Sequence, residues 1–162
     1  MSWDAVDFAV FGLLLVSVGV IYWLAVRFSA NTAYRSAVGV AMVTAFFLIW
    51  VNGAVGIIGD EGNDANMMFF GVIAVGAIGA LIARFQAKGM ARALLATAIA
   101  QTLVTAIALA GDLGSTGPVW PLDALILTGF FAALWLVSAW LFKNAARKQR
   151  SNSVEPDRNA MR

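Results

Sequence analysis

Charged residues divide the chain into five uncharged, strongly hydrophobic stretches. They cover residues 8–26, 36–59, 67–83, 93–111 and 124–142. Each is close to the ~20 residues that a helix needs to cross a ~30 Å hydrocarbon core. The pattern predicts an all-α polytopic membrane protein, with a five-transmembrane-helix bundle formed by residues 1–143.

The two ends of the chain differ in composition. Asp4 and Asp7 precede the first stretch where a signal peptide has basic residues, so we expect a retained helix and not a cleaved leader. Residues 144–162 are polar and rich in Arg, Ser and Asn. Because they contain too little apolar surface to fold alone, they predict a disordered, basic cytoplasmic tail.

Basic and acidic residues alternate between the connections. Given five crossings, one membrane face receives all eleven basic residues and the other receives seven of the nine acidic residues. The basic residues are Arg27, Arg35, Arg84, Lys88, Arg92, Lys143, Arg147, Lys148, Arg150, Arg158 and Arg162, and the acidic ones are Asp4, Asp7, Asp60, Glu61, Asp64, Asp112 and Asp123. The positive-inside rule then predicts an outside N-terminus and a cytoplasmic C-terminus.

Composition excludes several classes of function. The chain is 61% hydrophobic and 12% charged, and it contains no Cys and no His. Disulfides, His-ligated haem, iron–sulfur clusters, the usual zinc sites and Ser/His/Asp triads are therefore excluded. The five stretches carry no ionisable residue, which disfavours proton pumps, voltage sensors and ion-coupled carriers. We expect no enzyme activity, no cofactor, no catalytic or metal site and no nucleic-acid partner.

Small residues recur in the second and third stretches, where they favour close helix packing in a membrane. The expected packing positions are Gly53, Gly56, Gly59, Gly71, Gly76 and Gly79. A dimer face or a broken-helix binding site is the alternative.

Polar residues form a stripe on the fourth helix. Thr97, Gln101 and Thr105 are spaced at i, i+4 and i+8 and share one face, and Asn52 is the other carboxamide well inside a span. Buried amides need partners, so Asn52 and Gln101 are candidates to pair with each other. The favoured interpretation is interhelical stabilisation. The alternative is a solute or water path that also includes Thr44 or Thr128.

The densest polar cluster is the loop before the third helix, with Asp60, Glu61, Asn63, Asp64 and Asn66. Its spacing does not match an EF-hand. We expect Asn63 or Asp64 to cap the third helix, and the loop to offer a recognition surface. Weak calcium binding is the lesser alternative.

One further signal comes from the segments WVNGAVGIIG at 50–59 and GMAR at 89–92, with Asn63, Ala65 and Asn66 between them. The chain resembles, over most of its length, small uncharacterised bacterial inner-membrane proteins. The resemblance implies a location in the bacterial inner membrane and carries no assigned activity.

Three classes of function remain open. The leading hypothesis is an accessory subunit or assembly partner that binds another membrane protein or a second copy of itself as a homo-oligomer within the bilayer. The second is a small channel or facilitator for an uncharged or weakly polar solute. A membrane enzyme acting on lipid is the weakest, because no acid, base or metal set supports it.

Overall fold

The computed structural model describes the backbone of residues 5–159, and side chains between residues 8 and 153 except at positions 26 and 28. Its helices are α1 (Ala5–Phe28), α2 (Thr32–Ala54), α3 (Met68–Ile82), α4 (Ala87–Ala110) and α5 (Leu122–Asn159). A short 3-10 helix, Asp64–Met67, leads into α3. Within residues 5–159, five helices are long and apolar enough to cross a membrane, as the sequence predicts. Asp4 and residues 160–162 lie outside the described residues.

Three helix ends differ from the sequence predictions by five residues or more. α2 ends at Ala54 and not at Gly59, because Gly56 and Gly59 have φ angles of +78° and +77°, which a right-handed helix does not allow. α4 begins six residues before the predicted start at residue 93. Its early charges, Lys88 and Arg92, are exposed, so long cationic side chains can extend from the helix towards water.

The third difference is the tail. α5 does not end at Phe142 but continues to Asn159, so the backbone of the expected disordered segment is helical as far as that residue. Residues 143–150 are mostly Ala, Lys and Arg, which favour helix. The first turn of α5 after Phe142 also packs against the rest of the protein. Ala145 is fully buried, and its carbonyl oxygen accepts a 3.1 Å hydrogen bond from Asn31 Nδ2.

Helices α2 to α5 form the packed bundle. α4 packs against α3 on one side and α5 on the other, and α5 packs against α2. Polar contacts that join α2 and α5 include the bond from Asn31, the N-cap of α2, to Ala145 and a 2.7 Å bond from Ser138 Oγ to the carbonyl oxygen of Ala37. Contact between α2 and α3 is sparse, which leaves the bundle loosely closed along that seam.

Helix α1 lies outside this bundle. None of the residues in its span, Phe8–Ala25, is buried. It packs mainly on α2, where the Phe11 ring lies 5.7 Å from the Phe46 ring and 4.6 Å from the Trp50 ring. Most of the surface of α1 is therefore exposed on the outside of the bundle.

The connections between the helices lie at two ends of the bundle, an acidic end and a basic end. The acidic end contains the connections at residues 55–67 and 111–121. The basic end contains the connections at residues 29–31 and 83–86, together with α5 from residue 143 onwards.

Candidate functional site

The loop at the acidic end folds around one side chain, Asn66, which is 5% exposed. Its Oδ1 accepts 2.9 Å hydrogen bonds from the backbone N–H groups of Ile57 and Ile58. Its Nδ2 donates to the carbonyl oxygens of Asp60, at 2.7 Å, and Ile58, at 3.4 Å. The side-chain amide of Asn66 thus provides hydrogen-bond partners for four backbone groups of the loop. These groups follow the end of α2 and have no partners within a helix.

Two glycines make this fold of the loop possible. A Cβ built on Gly56 lies 2.3 Å from the carbonyl oxygen of Asp60, and Gly59 approaches the backbone of Gly114. Both also have the positive φ that other residues rarely adopt. Gly56 and Gly59 therefore serve the loop, and not the helix packing that the sequence predicts for them.

Asn52, near the end of α2, is bonded to this loop. Its Nδ2 donates a 3.1 Å hydrogen bond to the carbonyl oxygen of Asn66, while its Oδ1 is buried without a partner among the described residues. The expected pairing of Asn52 with Gln101 is therefore wrong. Because the chain folds back between α2 and α3, the backbone of Asn66 lies next to Asn52 and takes the place of Gln101 as its partner.

The other residues of the acidic loop lie nearer the surface. Asn63 Oδ1 accepts a 2.9 Å bond from the N–H of Ala65, which caps the 3-10 helix, and Asn63 Nδ2 donates to the carbonyl oxygen of Leu113 at 2.6 Å. Asp60 Oδ1 accepts from the N–H of Gly62 at 3.1 Å. Glu61 and Asp64 are exposed. In the described part of the chain, no three carboxylates form a group that could hold a metal ion.

The polar stripe of α4 lies inside the bundle. Thr97, Gln101 and Thr105 are all buried. Thr97 Oγ1 donates to the carbonyl oxygen of Ala93 at 2.9 Å, and the hydroxyl groups of Thr105 and Thr128 share a hydrogen bond. The threonines thus satisfy their hydroxyls locally or across the α4/α5 contact.

Gln101 differs from its neighbours on the stripe. It is completely buried, and neither its Oε1 nor its Nε2 has a hydrogen-bond partner in the described structure. The indole N–H of Trp135 on α5 is buried without a partner as well. A buried amide without partners costs free energy, typically ~1–3 kcal/mol for each unpaired polar group.

The glycines of α3 divide into two groups. A Cβ built on Gly76 lies 3.1 Å from Thr97 Oγ1, and one built on Gly79 lies 2.7 Å from Ala93 Cβ, so both let α3 approach α4 closely. Nothing lies within 4 Å of a Cβ built on Gly71 or on Gly53 of α2. The predicted packing is therefore absent at those two positions in the described residues.

The α2/α3 seam contains a shallow crevice. Its volume is about 150 Å³ including open space at its mouth, and its lining residues are Leu48, Ile49, Asn52, Phe69, Phe70 and Ile73. It is too narrow to admit a water molecule. The buried stripe of α4 is therefore not connected to the exterior through this crevice.

Some buried or bonded residues of the bundle are not among the residues predicted from the sequence. Ser138 lies on the inward row of α5 with Thr128, Phe131 and Trp135, at spacings of three and four residues. That heptad-like spacing is a signal that identifies Ser138 and Trp135 as inward-facing. The 2.7 Å bond from Tyr34 Oη to the carbonyl oxygen of Phe85 has no comparable signal, because it joins residues distant in sequence.

Comparisons with protein-family models, with curated proteins and with solved structures return no match.

Proposed function

We propose that the protein is a non-enzymatic, multi-pass protein of the bacterial inner membrane that acts as an accessory subunit or assembly partner. The observation that supports this most is α1, a membrane-length helix without a single buried residue in its span. Its contact with the bundle depends largely on α2. A helix so placed adds little to the core and offers a lateral surface to another transmembrane helix.

The chemistry of α1 suits such a partner. Helices in a membrane associate through close backbone approach more than through apolar burial. Gly12 and Gly19 are two turns apart on α1, and nothing lies within 4 Å of a Cβ built on either. The partner is a transmembrane helix of another protein or of a second copy of this chain.

Orientation is part of the proposal. The basic end faces the cytoplasm and the acidic end faces outwards, since loops rich in Lys and Arg are retained on the cytoplasmic side. The acidic loop then presents Glu61 and Asp64, which are exposed, to the outer surface. This ordered loop offers a second recognition surface.

Site-specific photocrosslinking in intact cells tests the partner proposal. A photoreactive residue at Val16 of α1, 63% exposed, should give a discrete protein adduct. The same residue at Leu103 of α4, 56% exposed, is the matched control and should give lipid adducts only. An adduct of twice the chain mass identifies a second copy. Lipid adducts alone from both positions contradict the proposal.

A second candidate function is supported by Gln101. A wholly buried amide without a partner is costly in a scaffold, whereas it suits a site through which a small uncharged solute passes in another arrangement of the helices. On this hypothesis Gln101→Leu abolishes glycerol or urea flux in vesicles without lowering stability. Thr102→Val, on the exposed side of α4, is the control and leaves flux unchanged. Equal flux in the two variants excludes the pathway.

A further inference from the structure

Exposed cationic and apolar side chains form a row along α4 near the basic end. Lys88, Arg92, Leu95 and Ile99 follow one another at spacings of four, three and four residues, so they share one face of the helix. All four are exposed, Leu95 by 47% and Ile99 by 54%. The row is cationic at the end of the bundle and apolar within the span.

Helix α5 carries a matching row in the opposite chain direction. Its members occupy positions i, i+4, i+7, i+11 and i+14 and are all exposed: Leu136, Trp140, Lys143, Arg147 and Arg150. Apolar residues again lie within the span, and three cations lie beyond it. Trp140, 60% exposed, lies between the two parts, where an indole favours the headgroup region.

The α5 row lies on the side of that helix that faces α4. Thr128 marks this side because it bonds to Thr105, and Ser138 marks the α2 side because it bonds to Ala37. At about 100° per residue, Lys143 lies about 60° from Thr128 around the helix. By the same rotation of about 100° per residue, Lys143 lies about 140° from Ser138 around the helix.

The α4 row lies beside the α5 contact, on the side of α4 that is turned away from α3. Lys88 is about 100° from Thr105, which contacts α5, at about 100° per residue. It is about 180° from Thr97, which Gly76 of α3 approaches. The two rows therefore flank the outside of the same seam between α4 and α5.

The cations of the two rows also match in height. The helices are antiparallel, and the Thr105–Thr128 contact sets Lys88 level with Ala145, between Lys143 and Arg147 and about 3 Å from each along the axis. An independent contact agrees: Tyr34 bonds to the carbonyl oxygen of Phe85, just before α4, and its ring lies 5.1 Å from the ring of Phe142.

Acidic residues do not neutralise these cations in the described region. The sequence has no Asp or Glu at residues 65–111 or 124–153. Glu155 and Asp157, whose side chains are not described, follow Arg150 by five and seven residues. The seam thus holds a concentrated positive charge next to a continuous apolar surface.

We propose that the outside of the α4/α5 seam at the basic end binds an anionic glycerophospholipid. The phosphate lies among Lys88, Lys143 and Arg147, where cations at one height from two helices meet its charge. The acyl chains lie against Leu95 and Leu136 within the span. Only an amphiphile matches both halves of this surface, which is why a lipid and not free phosphate is the ligand.

Lipid retention measured by native mass spectrometry tests this proposal on the purified full chain. Delipidated protein in mild detergent receives equal amounts of phosphatidylglycerol and phosphatidylcholine with identical acyl chains. The native sequence should retain phosphatidylglycerol at least about tenfold more than phosphatidylcholine. Lys143→Gln with Arg147→Gln should remove about tenfold of that preference, whereas Lys143→Arg should keep it.

The matched control removes the same charge elsewhere at the basic end. Arg27→Gln with Arg84→Gln alters α1 and the α3–α4 turn, and should change the preference less than twofold. An equal loss in both double variants, or no preference in the native sequence, overturns the seam as a site. Displacement of the lipid by an equal concentration of inorganic phosphate shows a phosphate site and overturns the lipid assignment.

Discussion

Two of the three buried carboxamides among the described residues, Asn66 and Gln101, have opposite hydrogen-bonding environments. Asn66 uses both side-chain polar atoms with four backbone groups, whereas Gln101 uses neither. Because an unpaired buried group costs more than a made bond contributes, the two positions should respond differently to removal of the amide. Residue type alone does not distinguish them.

Asn66→Ala should lower the free energy of unfolding by about 2 kcal/mol or more, because it leaves the buried N–H groups of Ile57 and Ile58 without an acceptor. Chemical denaturation in detergent measures the change. Glu61→Ala, in the same loop but exposed, is the control and should change stability by less than about 0.5 kcal/mol. Equal effects at the two positions contradict a structural role for Asn66.

Gln101→Leu should leave the free energy of unfolding unchanged or raise it, because no hydrogen bond is lost and a buried amide is replaced by an apolar group of similar volume. Thermal melting in detergent gives the comparison with the native chain. A loss above about 1 kcal/mol means that the amide has a partner in the membrane that the described contacts lack.

At the scale of the helices, the α3/α4 contact depends on selected glycines and not on glycine content. Gly79 brings α3 against Ala93, while Gly71 on the same helix faces open space. The sequence presents both as small residues in one apolar run. Only the rotation of α3 about its axis distinguishes them.

Gly79→Ala and Gly71→Ala form a matched pair on one helix. Both gain the same helix propensity, so the difference between them reports packing. Gly79→Ala should be less stable than Gly71→Ala by about 1 kcal/mol or more, because its Cβ meets Ala93 Cβ at 2.7 Å. Urea or SDS unfolding in mixed micelles measures both. Equal stability means that α3 and α4 do not approach at Gly79.

How far the sequence predicts these elements follows from their physics. The five spans are predictable because the bilayer demands apolar runs of about 20 residues. The ends of the helices are less predictable from the sequence. Lys88 and Arg92 lie inside α4, because exposed cationic side chains near the end of a helix do not prevent the helix from forming. The Asn66 contacts escape prediction because they depend on how the loop folds back on α2, and polar spacing does not encode that.

At the scale of the whole molecule, charge divides the bundle into two ends. All basic side chains described in the structure lie at the connections or helix ends of the basic end, and the acidic loop with Asp112 lies at the other. Asp112 accepts a 2.9 Å bond from Trp120 Nε1 within the 111–121 connection. Five crossings with this division of charge are the central claim.

Cysteine accessibility in intact cells tests that claim most directly, since the native chain has no Cys that would react. The chosen sites, Glu61 and Thr116 at the acidic end and Ala30, Gln86 and Gln149 at the basic end, are exposed in the structure. Cys at Glu61 or Thr116 should react with an impermeant thiol reagent from outside, and Cys at the other three only after lysis. Labelling of Gln149→Cys in intact cells contradicts the orientation, and labelling of Gln86→Cys together with Glu61→Cys contradicts the five crossings.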